Sequence, residues 1–200
     1  PLTAIKGFFQ LIKTDQKQQY FDIVESELNR IEAILSELLV LSKPTEIKFK
    51  STNIELLIKD VMTLLETQSI MNNIQLLSSF TNRESFILCD ENQIKQVLIN
   101  LIKNSIDAMP DGGVITISTE IKNKQVIISV KDEGIGIPEH VIKRIGEPFY
   151  TTKEKGTGLG LMVSFKIIEN HHGSFAISSE KNQGTIMTIT LPITTQDNTK

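Results

Sequence analysis

Asp132-Glu133-Gly134-Ile135-Gly136-Ile137-Pro138 follows directly on residues 125–131, a run in which apolar and polar residues alternate. A carboxylate at the end of a strand, then two spaced glycines, sets a hydrogen-bond acceptor beside a backbone that can approach a flat ligand closely. Asp132 could accept from an exocyclic amine such as that of adenine. Aspartate and glycine also build ordinary turns, so this segment takes its meaning from what flanks it.

Upstream, residues 114–121 alternate in the same way, and Lys122, Asn123 and Lys124 lie between the two runs. The pattern predicts a hairpin with one wet face. Before it, Asp90 with Gln93 three residues on reads as a capping-box variant opening a helix over 90–109. Placed at about 100° per residue, Ile94, Val97, Leu98, Leu101, Ile102 and Met109 form one wide apolar arc. Asn100, Lys103, Asn104 and Asp107 form a narrow polar strip beside it. Asparagine is a mediocre helix former, so two of them one turn apart call for a reason other than helix propensity. Asn104 offers an amide oxygen to Mg²⁺, a hard cation that shares itself between oxygen ligands and phosphates.

Downstream stands Gly156-Thr157-Gly158-Leu159-Gly160-Leu161, leading into a predicted helix over 158–169. A glycine-rich turn opening a helix aims free N–H groups and the positive dipole end at phosphate oxygens. Lys153 and Lys155 would add charge. No GxxxxGK[ST] is present, which excludes a P-loop enzyme. The dinucleotide fingerprint GxGxxG also fails, because Glu139 and Leu161 occupy the third glycine position. Strands are expected over 174–179 and 185–191, after a helix over 54–68 and a strand over 74–80. A polar tail, 194–200, should be loose.

In this order the elements resemble the nucleotide-binding set of the sensor histidine kinases: Asn-x-x-x-Asn on a helix, Asp-x-Gly-x-Gly after a strand, Glu147-Pro148-Phe149-Tyr150-Thr151-Thr152-Lys153, then the glycine turn. These kinases share a superfamily with DNA gyrase, the Hsp90 chaperone and the MutL repair protein. Gly184-Thr185 is similar to that family's last short glycine motif, whose threonine lies by the adenine. The wording of Glu147–Lys153 and of Asn104-Ser105-Ile106-Asp107-Ala108-Met109-Pro110 is most similar to the sporulation-type kinases of bacilli.

The first 43 residues read as two helices. Tyr20, Val24, Leu28, Ile31, Leu35 and Leu38 recur with a period of about 3.5 residues, the seam of a coiled coil or bundle. Two helices cannot bury that seam on both sides, so a dimeric four-helix bundle is the expected solution. Pro44 stops the second helix, and residues 44–52 read as a linker holding a short strand near 47–50. Pro1-Leu2-Thr3-Ala4-Ile5 resembles the end of the family's phosphoacceptor signature, in which His-Glu-x-x-Asn precedes Pro-Leu-Thr. The accepting histidine is thus expected just upstream of Pro1. His140, His171 and His172 do not replace it; the last two precede Gly173 at a helix end, where histidine suits the dipole and glycine the C-cap.

The expected fold class is α+β: an N-terminal helical hairpin, half of a dimeric four-helix bundle, followed by an α/β sandwich of the Bergerat type. The domains expected are 1–43, the dimerisation and phosphoacceptor stem; 44–52, a linker; 53–193, the ATP-binding domain; and 194–200, the tail. The resemblance implies transfer of the ATP γ-phosphate to a histidine, for relay to a response-regulator aspartate. It implies a site for ATP and Mg²⁺ built from Asn100, Lys103, Asn104, Asp107, Asp132, Gly134, Gly136, Ile137 and Thr185. A lid supplies Thr151, Thr152, Lys153 and Lys155, and the glycine turn supplies Gly156, Thr157, Gly158, Leu159, Gly160 and Leu161. Asn104 is the metal ligand. Hydrolysing relatives carry a water-activating glutamate where this chain has Asn100, and an amide cannot act as a general base. Binding without rapid hydrolysis is therefore expected. Two other readings share these motifs: a serine or threonine kinase of the anti-sigma-factor type, and a dimeric module that binds nucleotide without catalysis.

Bulk composition agrees. The 200 residues carry a formal charge of -3 with 40% apolar content, and the pI is near 5.7, which disfavours nucleic acid as a partner. Cys89, the single cysteine, excludes an internal disulfide or a cysteine metal site. Apolar runs fall short of the ~20 residues of a membrane span, so a cytoplasmic chain is expected, with any membrane anchor of the parent protein upstream. The implied partners are a second copy through the stem, a response regulator, and a small inhibitor protein that the stem could accommodate.

Overall fold

The computed structural model describes residues 47–80, 85–153 and 156–194, together with 25, 28, 29, 31, 32, 34, 35 and 38. The expectations for the first stem helix, for Glu154 and Lys155 of the lid, and for nearly all of the tail lie outside the described residues. Those of the stem that are described are helical. Ile31, Leu35 and Leu38, all members of the 3.5-residue seam, are 45%, 46% and 37% exposed.

After the stem comes an α/β sandwich. Its elements run β1 (Lys50–Asn53), α1 (Ile54–Met71), β2 (Ile74–Ser79), β3 (Phe86–Cys89), α2 (Glu91–Asp107), β4 (Gly113–Lys122), β5 (Gln125–Asp132), α3 (Glu139–Ile142), α4 (Gly160–Asn170), β6 (Ser174–Ser179) and β7 (Thr185–Pro192). A five-stranded sheet has the order β2-β4-β5-β7-β6. Only the β2–β4 pair is parallel, and the rest of the sheet is antiparallel. The β4–β5 hairpin turns at Asn123 and Lys124, both left-handed (φ 52° and 59°), as a two-residue turn of matching twist requires.

Alternation puts Ile115, Ile117, Val126, Ile128, Val130, Met187, Ile189 and Leu191 on one buried face of the sheet. The helices cover that face, with α2 packed between α1 and α4. Ile94, Val97, Leu98, Leu101 and Ile102 of α2 are at most 1% exposed. Burying each such side chain stabilises the fold by about 1.5–3 kcal/mol, which fixes the helix's rotation and leaves its polar strip facing outward. Among the described residues no helix is long and apolar enough to cross a membrane.

Three local features differ from the expectations. The strand expected near 47–50 begins at Lys50 and pairs antiparallel with β3, Lys50 opposite Cys89. The end of the supposed linker is thus zipped onto the domain. Asp90 does cap α2, accepting from the N–H groups of Asn92 and Gln93 at 3.1 and 3.2 Å. The reciprocal half of a capping box is not made: the Asp90 N–H donates to His171 Nε2 at 3.0 Å. Lastly, the left-handed residue ending α4 is His172 (φ 57°), with the Gly173 N–H returning to the Ile168 carbonyl at 2.9 Å. That is a Schellman closure made without glycine at the left-handed position.

His171 itself is a buried clasp. Because Nε2 accepts from Asp90, the proton sits on Nδ1, which donates to the Ile167 carbonyl at 2.7 Å. The Phe49 ring meets its edge with centroids 5.2 Å apart, and the Lys48 N–H reaches Asp90 Oδ2 at 3.3 Å. Burial holds the imidazole below its usual 6.5, against smaller raising effects of the Ile167 carbonyl and Asp90; His172 adds a lowering one. It therefore acts through neutral hydrogen bonds, and the charge–dipole role does not hold. Since folding depresses this pKa, the unfolded chain takes the proton first as pH falls. The stabilisation is complete above about pH 6.5 and is lost as pH drops below it toward the folded value. Urea unfolding should show that decline. His171→Phe should flatten it while costing about 1–3 kcal/mol at neutral pH through the orphaned Asp90 N–H.

Candidate functional site

The site forms where α2, the end of β5 and the start of α4 meet. Asp132 is 1% exposed. Its Oδ1 accepts from the N–H groups of Gly134 and Thr185, both at 3.0 Å, and its Oδ2 from Ser105 Oγ at 2.9 Å. A carboxylate offers about four lone-pair sites; three are filled by donors among the described residues, and one acceptor position is left over. Ser179 holds the rim. Its Oγ accepts from the Ile137 N–H at 2.8 Å, donates to the Gly184 carbonyl at 2.7 Å and lies 3.0 Å from Thr185 Oγ1.

On α2 the polar strip is linked internally. Asn104 Nδ2 donates to Asn100 Oδ1 at 3.4 Å, and Asn100 Nδ2 donates to Ser164 Oγ of α4 at 2.9 Å. Asn104 Oδ1 is thereby turned outward, where Lys153 Nζ sits 2.8 Å from it and 2.8 Å from Asp107 Oδ2. A cation is thus already held by Asn104 Oδ1, the oxygen expected to serve Mg²⁺. The arrangement fits a hard divalent ion that takes one protein oxygen and completes its shell with phosphates and water. Helix α4 begins with no side-chain cap, which leaves first-turn N–H groups for an anion.

The glycines serve the protein as much as any ligand. Gly136 is left-handed (φ 65°), and a Cβ there would collide with the Glu180 carbonyl. Gly158 (φ 71°) lies against the backbone of Phe149, itself left-handed at φ 62° with its ring 61% exposed. The closest approaches are therefore between backbone segments of this chain. Leu159 is fully buried and Leu161 packs on the core, so their side chains belong to the interior. Leu159 can serve the site only through its backbone, whose N–H donates to Thr157 Oγ1 at 3.3 Å. Lys103, Thr151, Thr152 and Lys153 are exposed. Arg144 fixes the lid's entry, donating to Glu147 at 3.0 Å while its guanidinium lies 4.0 Å from the Tyr150 ring centre.

Sequence reading missed Ser105, Ser164 and Ser179. The signal was present for the first two, as each is a lone hydroxyl within an apolar helical arc and each is at most 1% exposed.

Residues 89–195 match the family described as histidine kinase-, DNA gyrase B-, and HSP90-like ATPase, and residues 1–47 match the His Kinase A (phospho-acceptor) domain. The chain belongs to the histidine kinases. Sporulation kinase A of Bacillus subtilis (strain 168) is 54% identical over 195 residues, covering 96% of this chain and 32% of that protein. Sporulation kinase C of the same strain is 48% identical over 196 residues, covering 96% and 46%. This histidine kinase chain thus spans less than half the length of these relatives. The solved histidine kinase ThkA, in complex with the response regulator protein TrrA, superposes with a TM-score of 0.76 at 32% identity, covering 96% of this chain and 58% of that one. The family's ATP-binding domain is therefore the sandwich that carries Asp132, Asn104 and the glycine turn.

Gly136→Ala should lower the melting temperature, at a cost of about 1–3 kcal/mol, because it strains a left-handed turn against fixed backbone. Thermal denaturation without nucleotide checks this; an unchanged melt would mean that Gly136 is there for the ligand alone.

Proposed function

We propose that the chain is the core of a sporulation-type sensor kinase, which binds Mg-ATP and hands the γ-phosphate to a histidine for relay to a response-regulator aspartate. One observation carries the reading: direct hydrogen bonds draw three separate motifs around one cleft. Asp132 is tied to α2 through Ser105, and α2 to the glycine-turn helix through Asn100 and Ser164.

In this reading Asp132 gives its remaining acceptor position to the adenine amine, with Thr185 beside it. The uncapped start of α4 and Lys153 meet the phosphates, and Asn104 Oδ1 ligates Mg²⁺. The metal supplies charge compensation to the phosphates when bound. Among the described residues no cluster of three or more His, Cys, Asp or Glu could cage a cation alone, which suits an ion that arrives with nucleotide. Phosphoryl transfer requires alignment and charge stabilisation more than covalent help. The γ-phosphorus forms a bond to the acceptor imidazole nitrogen as its bond to the departing ADP breaks. Asn100 cannot deprotonate water, so the phosphoryl group waits for that acceptor.

Lys153 must leave Asn104 and Asp107 for this to happen. Its ion pair with Asp107 is half-exposed, and such pairs are worth about 0–1 kcal/mol, so release is cheap. The exposed seam of Ile31, Leu35 and Leu38 supports a dimer through the stem, and the ThkA–TrrA complex supports a response regulator as partner. A small inhibitor protein on the stem, a cytoplasmic site of action and an upstream membrane anchor complete the proposal.

Calorimetric titration with a non-hydrolysable ATP analogue should give binding that Asp132→Ala weakens by about 100-fold or more, with a melting check that the variant stays folded. Unaltered affinity would sink the assignment. With ATP itself, the chain should bind without sustained turnover, and rapid hydrolysis in the absence of an acceptor would contradict the role given to Asn100. Extending the protein upstream through a His-Glu-x-x-Asn should yield an acid-labile phosphate; an acid-stable one would favour a serine or threonine acceptor.

A further inference from the structure

Amide oxygen and amide nitrogen have the same shape, and only their hydrogen bonds decide which one faces a ligand. If Asn104 is to meet a cation, something must keep its oxygen outward, and a chain of bonds leading back into α4 does so. Ser164 is 1% exposed. Its hydroxyl donates to the Gly160 carbonyl at 3.0 Å. With its single proton spent, Ser164 Oγ can only accept on the side of α2, and it accepts from Asn100 Nδ2 at 2.9 Å. That bond turns Asn100 Oδ1 toward Asn104, whose Nδ2 donates to it at 3.4 Å, leaving Asn104 Oδ1 to the cleft. The Lys153 ammonium 2.8 Å from that atom marks it as the acceptor end.

We propose that Ser164 is a positioning residue for metal binding, setting the orientation of Asn104 through Asn100. The inference rests on the reading of Asn104 as the Mg²⁺ ligand. Each link has a defined polarity, so removing the hydroxyl frees Asn100 to flip, and a flipped Asn100 turns its NH₂ toward Asn104. Asn104 then meets the cleft with nitrogen for part of the time. Gly160 shares the arrangement, because a Cβ there would press 2.7 Å from Asn100 Oδ1 and disturb the middle link. The effect is specific: the hydrogen bonds of Asp132, where the adenine is read to bind, go to Gly134, Thr185 and Ser105 and include none of Ser164, Asn100 or Asn104, so adenine should bind as before.

The test compares the affinity of a non-hydrolysable ATP analogue with Mg²⁺ and with EDTA, taking the ratio as the gain due to the metal. Wild type, Asn104→Ala, Ser164→Ala, and the pair Ser164→Thr and Ser164→Val are measured. The last two have equal bulk and differ in the hydroxyl alone. Ser164→Ala and Ser164→Val should each cut the gain roughly fivefold, the scale of one hydrogen bond. Ser164→Thr should keep the gain within about twofold, and affinity in EDTA should stay constant across the Ser164 variants. A full gain in Ser164→Ala, equal losses in Thr and Val, or a parallel loss with and without metal would each overturn the proposal. Asn104→Ala separates the two layers. If it abolishes the gain while Ser164→Val does not, only the positioning role fails; if it leaves the gain intact, Asn104 is not the metal ligand.

Discussion

A buried carboxylate holds this domain's working parts together. Asp132 stands at the end of β5, where the sheet must pass the chain to the glycine loop, and it takes donors from three different places. Gly134 belongs to its own loop, Thr185 begins β7, and Ser105 lies on α2. Leaving a buried carboxylate without partners would cost several kcal/mol, whereas one that is fully paired is cheap and rigid. The same three bonds that make it tolerable lock sheet, loop and helix in register. They also leave one acceptor position of the carboxylate without a donor among the described residues. In the proposed reading, stability and recognition draw on the same atoms.

Helix α2 transmits this order in both directions. Its apolar arc is sunk between α1, α4 and the sheet, so its rotation is not free. At its N-terminus Asp90 is held by His171, which closes the far end of the same α4 whose first turn faces the cleft. Lys48 and Phe49, on the approach from the stem, meet this clasp directly. Clasp and cleft are connected through α2 and α4, which are joined at Asp90–His171 and again at Asn100–Ser164.

Much of this was legible in the letters. The strands showed as alternation, and the β4–β5 hairpin fell where the pattern breaks at Asn123 and Lys124. The arc of Ile94, Val97, Leu98, Leu101 and Ile102 gave the orientation of α2, and with it the outward strip of Asn100 and Asn104. What stayed hidden depends on contacts between residues far apart in the chain. No local rule tells that residue 90 will meet residue 171, so Asp90 and Gln93 looked like a capping box. Phe86–Cys89 is too short and too apolar to separate strand from buried filler by period alone; only its pairing with β1 decides. The left-handed turn after α4 went to His172 because Gly173 is needed for closeness to the Thr190 carbonyl. The positioning serines escaped notice because a small hydroxyl in an apolar arc reads as tolerated filler until its partner is known.

An amide rather than a carboxylate at Asn100 has two physical consequences in the proposed reading. One is negative: without a carboxylate, no group at this position can deprotonate water. The other is constructive. A carboxylate only accepts, so it could not donate to Ser164 Oγ, whose own proton is committed to Gly160. An amide donates on one side and accepts on the other, which is what a relay between Ser164 and Asn104 requires. Reverting Asn100 to glutamate would therefore not simply install a base. It would set two acceptors face to face at Ser164 and release the middle of the chain that aims Asn104. In the proposed reading the absence of a base and the orientation of Asn104 share one cause, because the amide nitrogen of Asn100 cannot take a proton and can give one.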